Sequence, residues 1–251
     1  MKTKSRNSII LLLLLFFVSC ATSENGNNDQ LNDQPEFNPA VQRDKLIVEY
    51  LFDGNAADTS GNGNNGVVSG ATLVSDRFGR SNHAYRFVSV ESDEIVCADA
   101  PELNPTDALS VTLWIKPTAF DANGRMISKR GSDGASGEGG WEIDIWNNQI
   151  RFTRHGTVML NYSTDTLTVD EWIFVGLTFI DLEQQMYVNG EHVGNTSQLM
   201  YNTSDVDLKI GNAGFYDSYF SGDIDDVRLY NSVLSSDDIE TLYHAGDWDL
   251  P

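Results

Sequence analysis

The sequence predicts an all-β fold, a sandwich of two antiparallel sheets with one short helix near its C-terminus. Three observations carry this expectation. From Lys45 onward apolar residues recur with period two, Gly- and Asn-rich turns separate the runs, and only residues 235–246 show a helical stripe. About 200 residues follow the N-terminal segments, enough for one domain with a substantial core.

Residues 1–19 read as a cleavable signal. Lys2, Lys4 and Arg6 form a positive head, and the apolar run Ile9 to Val18 is too short to span a bilayer. Phe17-Val18-Ser19-Cys20 resembles a bacterial lipobox, with Phe where Leu is usual, so Cys20 is the expected acylation site. Residues 20–44 are polar and contain two prolines; they read as a tether that cannot order itself. The chain is therefore expected at the bacterial cell envelope, at the outer membrane or cell surface, held by its N-terminal lipid alone. With Cys20 acylated, Cys97 lacks a partner for an intrachain disulfide, and its strand setting (Glu94 to Ala98) makes it a buried apolar residue.

The domain is expected over 45–247, with 248–251 as a tail. It opens with the apolar run Leu46 to Phe52, followed by a Gly/Asx-rich turn from Asp53 to Gly66. Leu109 to Ile115 alternates, with Ser110, Thr112 and Trp114 opposite an aliphatic face. Trp172 to Asp181 repeats the habit with Ile173, Val175, Leu177 and Phe179. Tyr187 to Val193 is a hairpin through Asn189-Gly190, and Trp141 to Arg154 a second one around Asn147-Asn148. Further strands are expected near 67–74, 84–89, 94–98, 125–130, 158–163, 207–211 and 223–230. Ser235 caps the helix, Asp238 completes the cap, Ile239, Leu242 and Tyr243 form its stripe, and Gly246 ends it.

Several of these pieces together resemble laminin G-like domains of the concanavalin A-like lectin/glucanase superfamily. They are Tyr50 to Asp53 with the turn after it, Gly79 to Phe87, Leu109 to Pro117, Trp172 to Val175, Met186 to Gly190, and Gly222 to Asn231 running into the helix. In this order they span residues 46–246. The resemblance implies a jelly-roll sandwich and a non-catalytic recognition role.

It also implies a structural calcium ion, since hard cations take six to eight oxygens that only a tight, glycine-bearing loop brings together. Alternation sets Asp225 inward beside Val227 and Leu229, where a carboxylate needs a partner or a cation. The expected ligands are Asp53, Asp58, Asn62, Asn64 and Asp225, with first and last strands adjacent. The alternative is that Asp225 accepts hydrogen bonds from the amides of that loop without metal.

Trp141 to Trp146 is similar to the active-site strand of retaining glucanases in the superfamily, where Glu-Ile-Asp-Ile precedes a second Glu. Here Trp146 and Asn147 stand where that acid would fall, and neither can protonate a leaving group. No HExxH pair, Gly-x-Ser-x-Gly elbow or phosphate loop occurs. The expectation is a non-enzyme that binds carbohydrate through Trp114, Glu142, Asp144 and Trp146, with Tyr216 and Tyr219 as a second cluster. A surface adhesion protein with a protein partner and a divergent glycan-degrading enzyme are the alternatives. With 37 acidic against 16 basic residues and a net charge of −21, nucleic acid is a poor partner.

Overall fold

The strands are short and close into two layers. The computed structural model describes residues 39–131, 139–154, 157–197, 204–213 and 218–246. In chain order the first strands are β1 (Leu46–Tyr50), β2 (Val67–Ser69), β3 (Thr72–Val74), β4 (Ala84–Phe87) and β5 (Glu94–Cys97). Next come β6 (Ala108–Pro117), β7 (Gly124–Arg130), β8 (Gly140–Ile145), β9 (Gln149–Arg154) and β10 (Thr157–Ser163). The last are β11 (Ile173–Ile180), β12 (Glu183–Val188), β13 (Glu191–Ser197), β14 (Leu208–Ile210) and β15 (Gly222–Tyr230), followed by the helix α1 (Ser236–Tyr243).

An eight-stranded sheet runs β13-β12-β11-β6-β15-β4-β3, with β1 also pairing β15, and a seven-stranded sheet runs β10-β9-β8-β7-β14-β5-β2. Each pairing among the described strands is antiparallel, which lets every strand turn one face to the core. The inner faces meet in one cluster that includes Tyr50, Phe52, Val111, Leu113, Trp141, Ile143, Phe152, Leu177, Phe179, Val227 and Leu229. The jelly-roll sandwich is thus the observed fold.

Turn chemistry holds the registers. Asn147 and Asn148 both take positive φ in the β8–β9 hairpin, as do Asn189 and Gly190 between β12 and β13. The expected strand near 67–74 divides in two at Gly70 (φ 81), which carries the chain from one sheet to the other; a Cβ there would meet the Asp93 carboxylate at 1.9 Å. The capping box is formed, with Ser235 Oγ accepting from the Asp238 amide and Asp238 accepting from the Ser235 amide.

The helix lies on the outer face of the eight-stranded sheet. Trp114, Phe174, Tyr187 and Tyr230 from the sheet pack against Leu234, Ile239 and Leu242 in a second apolar cluster. The folded part begins earlier than Lys45: Val41 packs on this cluster, Gln42 bonds Asp238 and the Val233 carbonyl, and Arg43 pairs with Glu49. Residues 1–38, with the expected signal and Cys20, lie outside the described residues. Cys97 is a buried free thiol whose pKa burial pushes up, and it donates to the Asn64 carbonyl.

Candidate functional site

Antiparallel pairing of β7, β8 and β9 builds the candidate site on the outer face of the seven-stranded sheet. Cross-strand register sets Arg125 opposite Asp144, Ser128 opposite Glu142, Asp144 opposite Arg151 and Glu142 opposite Thr153. Their inward neighbours Trp141, Ile143 and Ile145 enter the core, so alternation turns Glu142, Asp144 and Trp146 outward as expected.

Each carboxylate on this face is clamped. Arg130 Nη1 lies 2.6 Å from Glu142 Oε1, and Arg125 Nε approaches Glu142 Oε2 at 3.4 Å. Arg151 holds Asp144 through a two-pronged contact, 2.7 Å to Oδ1 and 3.0 Å to Oδ2, and Thr153 Oγ1 adds a long bond. Glu142 and Asp144 are both fully buried. Removing one partner of such a pair leaves an uncompensated charge, a loss of about 3–5 kcal/mol.

Trp146 ends the row. Its ring lies 4.9 Å from the Arg151 guanidinium carbon and 5.6 Å from that of Arg125, within cation–π range, yet 37% of the residue remains exposed. Arg125 Nη1 and Ser128 Oγ are buried polar atoms without a hydrogen-bond partner. Buried donors of this kind are ordinarily met by water or by a ligand.

The β6–β7 loop joins this face to a cleft. Asn148, in the turn after Trp146, donates to the Phe120 carbonyl, and Arg125 N donates to the Ser218 carbonyl. Arg125 also forms an isolated parallel bridge with Tyr219. Tyr219 lines a cavity of about 460 Å³ together with Ser89, Val90, Ser92, Ala122 and Asn123.

Of the six expected ligand-binding residues, three come together here: Glu142, Asp144 and Trp146. Tyr219 stands beside them on the cleft, and Tyr216 lies outside the described residues. Trp114 is on β6 in the opposite sheet, 6% exposed, stacked 5.6 Å from Tyr243 of the helix, with the Arg77 guanidinium 4.7 Å away. It does face away from the aliphatic side, but the outer side it occupies is roofed by the helix, so its grouping with the other three is corrected.

Sequence reading missed Arg125, Ser128, Arg130, Arg151 and Thr153. Period-two parity on the flanking strands marks Ser128 with Arg130 and Arg151 with Thr153. Arg125 escapes that count because the register shifts between Arg125 and Ile127.

The five expected calcium ligands do not converge. First and last strands are neighbours, β1 against β15, but β15 carries an irregularity: Asp225 pairs with Trp114 and Arg228 with Thr112, three steps against two. The extra residue, with Asp226 at φ 48, turns Asp225 to the outer face beside Trp114 instead of inward with Val227 and Leu229. There Arg77 Nη1 binds Asp225 at 3.1 Å and Asp226 at 2.6 Å, and Arg228 bonds Asp226 and Glu49.

The Gly/Asx turn does different work, covering the edge of β1 that faces away from β15. Asp58 accepts from the amides of Glu49, Ser60 and Asn64; Asn62 donates to the carbonyls of Leu46 and Ile47; Asn64 donates to the Ile47 carbonyl. Side chains thus replace the missing neighbour strand. Asp53 is exposed, 3.2 Å from His83 Nε2. A set whose Asp58 is filled by N–H donors, whose Asn62 and Asn64 side chains donate to carbonyls, and whose Asp225 is held by a guanidinium does not fit calcium. The alternative for Asp225, amides of the turn, is not observed either; Asp58 takes those amides.

The fold defines a concanavalin A-like β-sandwich. Residues 90–240, more than half of the chain, match the Laminin_G_3 family of the concanavalin A-like lectin/glucanases superfamily, and the chain belongs to it. It is similar to the adhesion G-protein coupled receptor V1 of Danio rerio, 25% identical over 178 residues, spanning 64% of this chain and 3% of that protein. Among solved structures it resembles domain 4 of AbnA, a GH43 extracellular arabinanase from Geobacillus stearothermophilus, solved in complex with arabinotriose. The TM-score is 0.63 at 18% identity, covering 79% of this chain and 98% of that one. The binding domain of botulinum neurotoxin DC, solved with rat synaptotagmin II, superposes with a TM-score of 0.60 at 16% identity, covering 80% of this chain and 52% of that one.

Proposed function

We propose that the chain is a non-catalytic carbohydrate-binding module of the cell surface that takes glycan on the outer face of the seven-stranded sheet. The observation that carries this reading is Trp146, an indole more than one-third exposed and fixed over two guanidiniums that buried carboxylates immobilise. Sugars present C–H faces to aromatic rings and hydroxyls to polar groups, and a rigid ring bordered by hydrogen-bonding side chains serves both. Glu142 and Asp144 are engaged by arginines, and Trp146 and Asn147 stand where a second catalytic acid is required, so binding without hydrolysis is the role they suit. The arabinotriose in the similar arabinanase domain supports a glycan ligand.

A protein-binding surface would call for a contiguous apolar patch. Among the described residues the exposed large aliphatic side chains are spread over several elements: Val67 and Val68 on β2, Val158 on β10, Ile180 and Leu182 at the β11–β12 turn, and Val90 and Val169 between strands. Export and a lipid anchor at Cys20 complete the proposal.

Affinity electrophoresis against a polysaccharide panel tests the site: Trp146→Ala is expected to abolish retardation and leave the melting temperature unchanged. Equal loss of both would make Trp146 a packing residue. Membrane fractionation tests the anchor, with Cys20→Ser moving the protein to the soluble fraction; continued detergent-dependent release would reject acylation.

A further inference from the structure

Resting on the carbohydrate reading, we infer that the cleft of Tyr219, Val90 and Asn123 is a second subsite, which takes a neutral sugar unit of a chain already stacked on Trp146. The two places are contiguous. Arg125, whose guanidinium faces the Trp146 ring, bridges Tyr219 of the cavity wall, and Gly124, next to Asn123, pairs with Ile145, next to Trp146. Asn123 lines the cavity at the start of β7, and Arg125 two residues on carries the contact to the indole. The far wall comes from the turn after β4, Ser89 to Ser92, and is tied down by Ser221, whose hydroxyl accepts from the Ser89 amide and donates to the Ser89 hydroxyl.

Composition decides the ligand class. Among the described residues none of the six lining side chains is charged; they offer two serine hydroxyls, one amide, one phenol ring and two small apolar surfaces. That mixture suits a pyranose or furanose ring, which stacks on Tyr219 and exchanges hydroxyl hydrogen bonds with the rest. Glu91 and Asp121 adjoin lining residues in the chain, and the net charge is −21, so a uronate or sulfate group would enter against repulsion. Val90, 89% exposed, forms the outer lip, where an apolar side chain in water has no packing duty of its own.

The test is calorimetric titration of the full chain with neutral arabino-, xylo- and gluco-oligosaccharides from monomer to hexamer, beside an oligouronate of matched length. Affinity is expected to rise roughly tenfold between the monomer and the longer neutral oligomers, as a second set of contacts is added. Val90→Trp fills the cleft from an exposed position; it should erase that rise and leave the melting temperature unchanged. Trp146→Ala should weaken every length alike. If Val90→Trp keeps the wild-type length dependence, the cleft is not a subsite, although Trp146 still binds. Tighter binding of the oligouronate than of its neutral counterpart would overturn the ligand class. Absence of binding at every length would remove the carbohydrate reading itself.

Discussion

The two outer faces of this sandwich carry the same chemistry and put it to different use. Both lay arginines against carboxylates across neighbouring strands, and both hold a tryptophan beside guanidiniums. On the eight-stranded sheet the row Glu49, Arg228, Asp226, Arg77 and Asp225 is buried; its Arg77 end donates to the Ala245 carbonyl just past the helix, beside the Trp114 that the helix covers, and its other end is closed by the partly exposed Arg43. On the seven-stranded sheet the row of Arg130, Glu142, Arg125, Asp144 and Arg151 ends at an indole that meets water. Unpartnered buried donors occur on both faces, at Arg77 Nε and Trp114 Nε1 as well as at Arg125 Nη1, so they do not separate the two. What separates them is the tryptophan's cover: the helix buries Trp114, whereas Trp146 stays more than one-third exposed.

The largest electrostatic effect is expected where the row on the eight-stranded sheet is cut. Burial works against ionisation of Asp226, but Arg228 and Arg77 outweigh it and hold its pKa below the ordinary carboxylate value. Its stabilisation is therefore complete above the ordinary pKa and is lost as pH falls through the depressed one. Asp226→Asn takes the shared carboxylate from two buried guanidiniums, leaving Arg77 with Asp225 and Arg228 with Glu49, and should lower stability by about 3 kcal/mol at neutral pH, with the deficit closing in acid. Asp225 runs the other way. Burial, then the charge of Asp226, raises its pKa well above the usual value against the pull of Arg77, so its contribution is present below the ordinary pKa and fades as pH rises through the raised one. Asp225→Asn should cost distinctly less than Asp226→Asn at neutral pH. Denaturation curves for both variants across pH check this, and identical losses at every pH would defeat it.

The two tryptophans give the next contrast. Truncating buried Trp114 removes ring contacts with Phe174 and Tyr243 and should cost about 3–5 kcal/mol. Trp146→Ala should leave stability nearly untouched while abolishing glycan retention. A binding loss without unfolding at Trp114, or unfolding at Trp146, would erase the distinction between the faces.

Most of the architecture was legible because strand alternation and turn chemistry are local. Leu109 to Ile115, Trp172 to Asp181 and the two hairpins follow from period and from Asn or Gly at positive φ, and the helix from its cap and stripe. The site was legible only in part, for two physical reasons. Which sheet a strand joins is a long-range outcome: parity correctly turned Trp114 and Trp146 away from the aliphatic side, but nothing in either strand says that one lies under the helix. Parity itself fails at irregular pairings, and this chain places one at Arg125 and another at Asp225, each beside a charged cluster. The same blindness applies to the Gly/Asx turn, whose oxygens and amides look alike whether they gather round an ion or along a strand edge.

That last ambiguity gives the smallest expected effect and the sharpest test of the roofed face. The carboxylate expected inward beside a cation is buried on the outer face and has a cation there, but one that is covalently part of the chain: Arg77 reaches both Asp225 and Asp226, and its guanidinium lies 4.3 Å from the Phe78 ring and 4.7 Å from the Trp114 ring. An ion added at Asp225 would have to displace this guanidinium and strand it among aromatic rings, a loss of several kcal/mol that coordination must first offset. At the turn, an ion would have to strip Asp58 of the amides that close the free edge of β1. Thermal melts in chelator and in millimolar calcium should therefore coincide within error. A clear rise in melting temperature with calcium would show that the loop rearranges to take the ion. In that case Arg77→Met, which frees Asp225 while Arg228 keeps Asp226, should enlarge the calcium response if the ion binds at Asp225, and leave it unchanged if the ion binds at Asp53 alone.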